Sequence, residues 1–332
     1  MQSRRWKQIG IIFLSALLAL IGSNPVLVGA ATATAASVNV YIDSDLKGTY
    51  SLFPSESTRQ SYSNIDTGAV RIDSTNGIFL IASERVIYKV NQVNTSFSEI
   101  MALPKSQLST TYWLPWYNNV DLSTQLRFGN VTQNTATVHI YVGAVEMTGS
   151  PFLLGRGESK RVVFTGVNNG PVEIQSDQDL IAAERVIYKV NGVNTSFSEM
   201  MALPDNQIDM VYWLPWYNNV DLDTQLRIAN LSPNQQATVH VSIGGQELNG
   251  SPIVIQAGKS IRKNFIGVNS GPLKIQSDQN IVAAERVIYK VNGVNTSFSE
   301  MMALPNSQLD STYWLPWYNN ISLDTQLRFG VP

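Results

Sequence analysis

Aromatic side chains at three recurring places are the groups in this chain best suited to gripping a partner. Tyr112, Trp113, Trp116 and Tyr117 lie in the octapeptide YWLPWYNN, Tyr212, Trp213, Trp216 and Tyr217 in its second occurrence, and Tyr313, Trp314, Trp317 and Tyr318 in its third. Six of the seven tryptophans sit here, so the repetition is not a matter of composition. Two chemistries suit such a segment. Rings open to solvent would stack on the apolar faces of sugars, with Asn118 and Asn119 at hand for hydroxyls and three copies adding avidity. Rings turned inward would be packing elements, each indole contributing about 2–3 kcal/mol on burial. Pro115, Pro215 and Pro316 cannot donate to a ladder, so the segment runs at a sheet edge or crosses between sheets. An uncovered aromatic edge is adhesive, and a neighbouring repeat would cover it. Packing at or near repeat junctions is the leading expectation and a carbohydrate-binding array is the alternative.

The ionisable groups offer less. Glu84, Glu184 and Glu285 recur, as do Arg127, Arg227 and Arg328, and these are expected to form structural ion pairs across strands, Glu184 with Arg227 for example. Adjacent Glu and Arg on a strand point to opposite faces and do not pair with each other. His139 and His240 share one strand position that Asn39 fills in the first copy, which reads as an outward-facing site. Asp121 and Asp221 give way to Ser322, so calcium finds no repeated ligand, and NTS at Asn94, Asn194 and Asn295 reads as a turn. With no cysteine there is no disulfide, thiolate zinc site or thiol nucleophile. No catalytic, cofactor-binding or metal-binding residue is assigned, and no enzyme activity is expected.

These residues are positioned by a tandem repeat. ERVIYKVN recurs at Glu84–Asn91, Glu184–Asn191 and Glu285–Asn292, VNTSFSE at Val93–Glu99, Val193–Glu199 and Val294–Glu300, and TQLR at Thr124–Arg127, Thr224–Arg227 and Thr325–Arg328, at offsets of 100 and then 101 residues. That period is the size of a domain. ASVNVYI aligned with ATVHIYV and ATVHVSI gives one phase: a signal peptide over 1–36, then repeats at 37–133, 134–234 and 235–332. A second phase begins each domain at TQLR and leaves the first one strand short. Each repeat alternates apolar and polar residues over short runs (TVHIYV, KRVVF, PVEIQ, LIAAERVIY, VYWLPWY, TQLRIAN) separated by Gly, Asn, Ser and Asp turns. The expectation is an all-β chain of three antiparallel immunoglobulin-like β-sandwiches. SFSEMMALP (Ser196–Pro204) is the one candidate helix.

Comparing the copies shows where change is tolerated. GAVEMTGSPFLLGRGESKRVVF becomes GGQELNGSPIVIQAGKSIRKNF, whereas the stretch from AERVIYKVN to TQLR hardly differs. A generic core accepts any apolar residue of similar volume, but a docked junction accepts far less. The invariant half is therefore the candidate junction.

Bulk properties bound the setting. Of 332 residues only 14% are charged and the net charge is −2, so no basic stripe for nucleic acid is implied and no nucleic-acid partner is expected. Arg4, Arg5 and Lys7 before the apolar run IGIIFLSALLALI and the small-residue stretch GAATATAAS have the form of a secretory signal. That run is too short for a typical membrane span of about 20 residues, so membrane contact is expected only if the signal stays uncleaved. A secreted or cell-surface location follows, with envelope polysaccharide, other surface proteins or self-association as candidate partners. The ordered set ERVIYK, SFSEMMALP, YWLPWYNN, TQLRFGN and ATVxV resembles tandem immunoglobulin-like repeats of bacterial secreted and surface proteins. The resemblance implies β-sandwich modules without an assigned reaction.

Overall fold

The computed structural model describes residues 34–315, 320–321 and 325–332. The expected signal segment lies almost wholly outside them, as do Trp317 and Tyr318. The described chain is all-β, its only helical turns being three-residue 3-10 turns after each ALP: Lys105–Gln107, Asp205–Gln207 and Asn306–Gln308. None is long and apolar enough to cross a membrane.

Strict alternation sets the strand faces. In Ala136–Val142 the side chains of Ala136, Val138, Ile140 and Val142 are buried, while Thr137, His139 and Tyr141 face outward. His139 Nδ1 lies 2.7 Å from Glu146 Oε1, and His240 repeats this with Glu247 at 2.7 Å. Strand Ala136–Val142 pairs on one side with Phe152–Leu154 and on the other with the start of a 19-residue strand, Val172–Val190. The far edge of that start carries the aromatic strand Ser109–Leu114. The register breaks between Gln175 and Leu180, and the same strand then enters a second layer. There it pairs with Ser123–Asn130, which is edged by Ser159–Val162, and with its hairpin mate Val193–Met201. One long strand thus serves two layers, a corner of the kind that orthogonal sandwiches use. Leu273–Val291 does the same in the next copy, between Asp209–Leu214, Ala237–Ile243, Asp223–Asn230 and Val294–Met302.

Two large apolar cores result among the described residues, with a smaller cluster of Leu122, Val186, Tyr188, Ile288 and Phe298. One contains Tyr112, Leu114, Leu126, Phe128, Ile140, Ile174 and Leu180, the other Tyr212, Leu214, Leu226, Ile228, Val241, Ile275 and Ile281. Both cores cross the boundaries at 133/134 and 234/235, because each octapeptide and its TQLR strand pack with the strands that follow them. The reason is visible in the tyrosines. Tyr112 Oη donates to the Leu180 carbonyl at 2.6 Å, and Tyr117 Oη donates to Thr124 O at 3.0 Å while accepting from Phe164 N at 2.7 Å. The cores therefore follow the second phase, begun one strand earlier than TQLR. The first copy holds only Ala36–Ile42 between Asp45–Leu52 and Val70–Ser74, followed by the hairpin of Ser83–Val90 and Val93–Met101.

Several local expectations are corrected. Ser196–Met201, part of the candidate helix, belongs to strand Val193–Met201, because pairing with Ala183–Val190 overrides local propensity. Asn194 lies in that strand, and the turn is at Asn191 and Gly192, both at positive φ. PVEIQ and LIAAERVIY are one strand, whereas VYWLPWY is two, Asp209–Leu214 and Tyr217–Asn218, divided at Pro215.

Tyr112→Phe removes a hydroxyl that is bonded inside the core to Leu180 O and to Ser109 N at 3.2 Å. It should lower unfolding free energy by about 1–2 kcal/mol, with the denaturant midpoint falling and the m-value unchanged.

Candidate functional site

The octapeptide divides by residue type. Tyr112, Tyr117, Tyr212 and Tyr217 are fully buried, and burial pushes the Tyr112 and Tyr217 phenols up to about 12. The tryptophans lie at the margins of the cores. Trp113 packs against the core of the following copy and donates from Nε1 to Asp205 Oδ1 at 3.0 Å; Trp213 donates to Asn306 Oδ1 at 3.0 Å. Trp116 donates to Asn168 Oδ1 at 2.8 Å, and the Arg227 guanidinium from the following copy lies 4.9 Å from its ring centroid. Trp216 makes the matching bond to Asn269 at 2.9 Å yet is 37% exposed, and Tyr313 and Trp314 are open. Gly170 lets this segment lie close: a Cβ there would fall 2.5 Å from Pro115 O, and Gly271 repeats the crowding at 2.3 Å from Pro215 O. The amides suggested for sugar hydroxyls are engaged locally. Asn118 Oδ1 accepts from Val120 N and Asp121 N, and Asn119 Nδ2 donates to Thr124 O.

The second invariant segment makes the repeat junction. Hairpin strand Val193–Met201 lies against both Val93–Met101 and Val294–Met302. One of its edges pairs with Ala183–Val190, so the other presents N–H groups that need acceptors. Serine hydroxyls of the preceding copy supply them. Phe197 N donates to Ser96 Oγ at 3.3 Å and Glu199 N to Ser98 Oγ at 2.9 Å. Phe298 N to Ser196 Oγ at 3.3 Å and Glu300 N to Ser198 Oγ at 2.9 Å repeat the pattern one copy later. Rings join the same faces, Tyr88 with Phe197 at 5.2 Å between centroids and Tyr188 with Phe298 at 5.1 Å.

The expected ion pairs are redistributed. None of Glu84, Arg127, Glu184, Arg227, Glu285 and Arg328 forms a bridge within 4.0 Å among the described residues. The bridges join directly opposed hairpin residues: Arg85 Nε donates to Glu99 at 2.7 Å, Arg185 to Glu199 at 2.5 Å and Arg286 to Glu300 at 2.6 Å. Opposed positions are the shorter reach, and Arg185 and Glu199 are register partners. Glu184 and Arg227 are electrostatic neighbours in a buried group with Arg286 and Glu300. Burial holds Glu184 well above the usual carboxylate range, Glu300 adding to this and Arg286 and Arg227 opposing it. Burial, with Arg286 nearby, lowers Arg227 to about 9. Arg127 Nε, Arg227 Nε and Glu285 Oε2 have no hydrogen-bond partner among the described residues.

Sequence reasoning missed the junction residues Ser96, Ser98, Ser196 and Ser198, and, though cross-strand pairing was expected of Arg85, Arg185 and Arg286, it missed their partners Glu99, Glu199 and Glu300. Their signal was the invariance of VNTSFSE together with the 14-residue separation that a hairpin turned at Asn91 places face to face. Within the chain the arrangement joins one repeat to the next. Among the described residues no group of three or more His, Asp or Glu is disposed to hold a metal.

Glu285 carries a pH dependence. Burial raises its carboxyl to about 7, with Arg328 opposing the shift. The folded state then holds a proton that the unfolded chain has lost, so this contribution to stability is complete below about pH 4.5 and disappears as pH rises through about 7. Glu285→Gln should raise the Tm at pH 8, by the equivalent of about 3 kcal/mol, and leave it nearly unchanged at pH 4.5.

A comparison of the chain with protein-family profiles, curated proteins and solved structures found no match, so the reading of this site rests on its own geometry.

Proposed function

We propose that this chain is a non-enzymatic exported repeat protein with a structural or adhesive role at the cell surface. The observation that carries the reading is where the invariant residues are spent. The tyrosines fill cores, the serines, phenylalanines and Arg–Glu pairs join one hairpin to the next, and Trp113 and Trp116 reach the following copy. A protein selected for a reaction would keep acid, base or nucleophile in an accessible cleft. Here the side chains of the converging titratable groups, Glu184, Arg227, Arg286 and Glu300, are buried against one another. Export is supported by the basic and apolar character of residues 4–21 and by the absence of cysteine, which leaves folding independent of redox setting.

The alternative, a carbohydrate-binding array, is favoured by one observation, the exposure of Trp216 and Trp314. The two readings part on a glycan array. The structural reading expects no glycan signal, and expects Trp216→Ala to change stability by less than about 1 kcal/mol. A glycan signal that disappears in Trp216→Ala would overturn it in favour of the array.

A further inference from the structure

Equivalent residues are buried in two copies and bare in the third. Tyr112, Leu114, Leu126 and Phe128, and their counterparts Tyr212, Leu214, Leu226 and Ile228, are all exposed by 2% or less. The third set, Tyr313, Leu315, Leu327 and Phe329, is exposed by 61%, 65%, 56% and 89%. The first copy has the opposite deficit. Val70 and Ile72 pair with Ile42 and Val40 as Val172 and Ile174 pair with Val142 and Ile140. Val172 and Ile174 have Leu114 and Tyr112 on their other edge and are fully buried, whereas no described strand occupies that edge of Val70–Ser74, and Val70 and Ile72 are 57% and 40% exposed. Ser83–Val90 likewise pairs only with Val93–Met101 among the described residues, though its counterparts also pair with a TQLR strand.

The hairpin stack has the same two faces. Phe197 and Phe298, each covered by the preceding tyrosine, are 1% and 5% exposed, but Phe97 is 48% exposed. Tyr188, covered by the following phenylalanine, is 8% exposed, but Tyr289 is 53% exposed. A shallow hollow lined by Arg85, Ile87, Ser96 and Phe97 lies on the face that a preceding hairpin would cover.

We infer that a second copy of this chain completes both faces head to tail. Tyr313–Leu315 of one copy adds to the open edge of Val70–Ser74 in the next, Leu327–Gly330 lies opposite Glu84 back to Ile81 in the register that Leu126–Gly129 and Leu226–Ala229 use, and Tyr289 stacks on Phe97. The donor segment already lies against the third copy at Gly330 and Arg328. A Cβ on Gly330 would fall 3.2 Å from Pro272, as one on Gly129 falls 2.8 Å from Ala69, the residue matching Pro272. Arg328 acts on Glu285 as Arg227 acts on Glu184. The segment is thus seated on the third copy, which favours donation to another molecule over closure on its own first copy. One contact does not carry over: Lys105 stands where Asp205 and Asn306 accept an indole N–H, so Trp314 forms no equivalent bond at this joint.

This inference deepens the structural reading and rests on it. The chain has no cysteine, so single replacements report cleanly. Trp113 opposes Glu173 and Trp213 opposes Lys274, so Trp314 is expected to oppose Arg71 across the joint. Register partners lie about 4.5–5.5 Å apart, within disulfide range. Oxidising an equimolar mixture of Trp314→Cys and Arg71→Cys chains should give a mixed disulfide dimer, whereas Lys47→Cys, on a different strand, should give none with Trp314→Cys. By sedimentation the unmodified protein should form a concentration-dependent head-to-tail series. Phe97→Asp and Tyr289→Asp, at exposed positions, should weaken association by about tenfold or more while leaving the Tm of the dilute chain unchanged. A concentration-independent monomer without cross-linking would overturn the inference. So would a disulfide that forms only within a chain carrying both cysteines. Either failure would leave the glycan-array result as the separate judge of the structural reading.

Discussion

The structure depends on how one strand edge is satisfied without another strand. Each VNTSFSE strand is paired on one side only, and its outward N–H groups would demand water or a sheet partner. Serine hydroxyls from the copy before take that role, Ser98 for Glu199 and Ser198 for Glu300. Hydroxyl bonds are directional, and a slip of one residue would turn every serine to the opposite face. Each bond contributes only about 1 kcal/mol, but it fixes the offset between copies, and the Tyr–Phe pairs beside it then meet at the same 5.1–5.2 Å in both junctions. An apolar face alone would not hold that register, since dispersion and burial are tolerant of sliding.

Buried charge reinforces the orientation at the cost of stability. The Arg286–Glu300 pair and the nearby Glu184 and Arg227 lie almost out of water, a setting in which well-packed apolar side chains are often as stable or more so. A displaced Arg–Glu pair, however, is far worse than a displaced leucine. The pairs therefore penalise misdocking more than they reward docking. The drift of GAVEMTGSPFLLGRGESKRVVF beside the constancy of ERVIYK and VNTSFSE fits that division of labour.

Much of the fold was legible in the residues. Alternation in ATVHIYV determines which side chains enter the core, and Pro115 and Pro215 divide the aromatic strand as a residue without an N–H must. The phase was not legible, because it depends on long-range bonds such as Tyr112 Oη to Leu180 O that local pattern does not report. The fusion of PVEIQ with LIAAERVIY was hidden for a related reason: SDQD has turn composition, yet a strand that changes layer can carry it across the corner. At the site, the repeated octapeptide drew attention to the right residues but blurred their roles. Tyrosine combines a ring with a hydroxyl that can reach a backbone carbonyl from inside a core, whereas the indole N–H of tryptophan is more easily satisfied by Asp205, Asn168 or Asn306 at the margin. The serines escaped notice since a small polar residue on a strand is unremarkable until its neighbour's edge is seen.

Three near-identical copies in different surroundings make the chain its own control. Tyr88, Tyr188 and Tyr289 share sequence and strand, and Tyr188, covered by the next hairpin and carried on a strand with a TQLR partner, is the most buried of the three. Trp116 likewise lies under Arg227, and Trp216 has no such cover among the described residues. Burial here is a property of the junction more than of the repeat. Each joint restores on its far side the face that it covers, and a heterologous joint of that kind closes into a ring or extends as a filament according to its rotation, so the geometry of a single joint matters more than the number of copies in one chain.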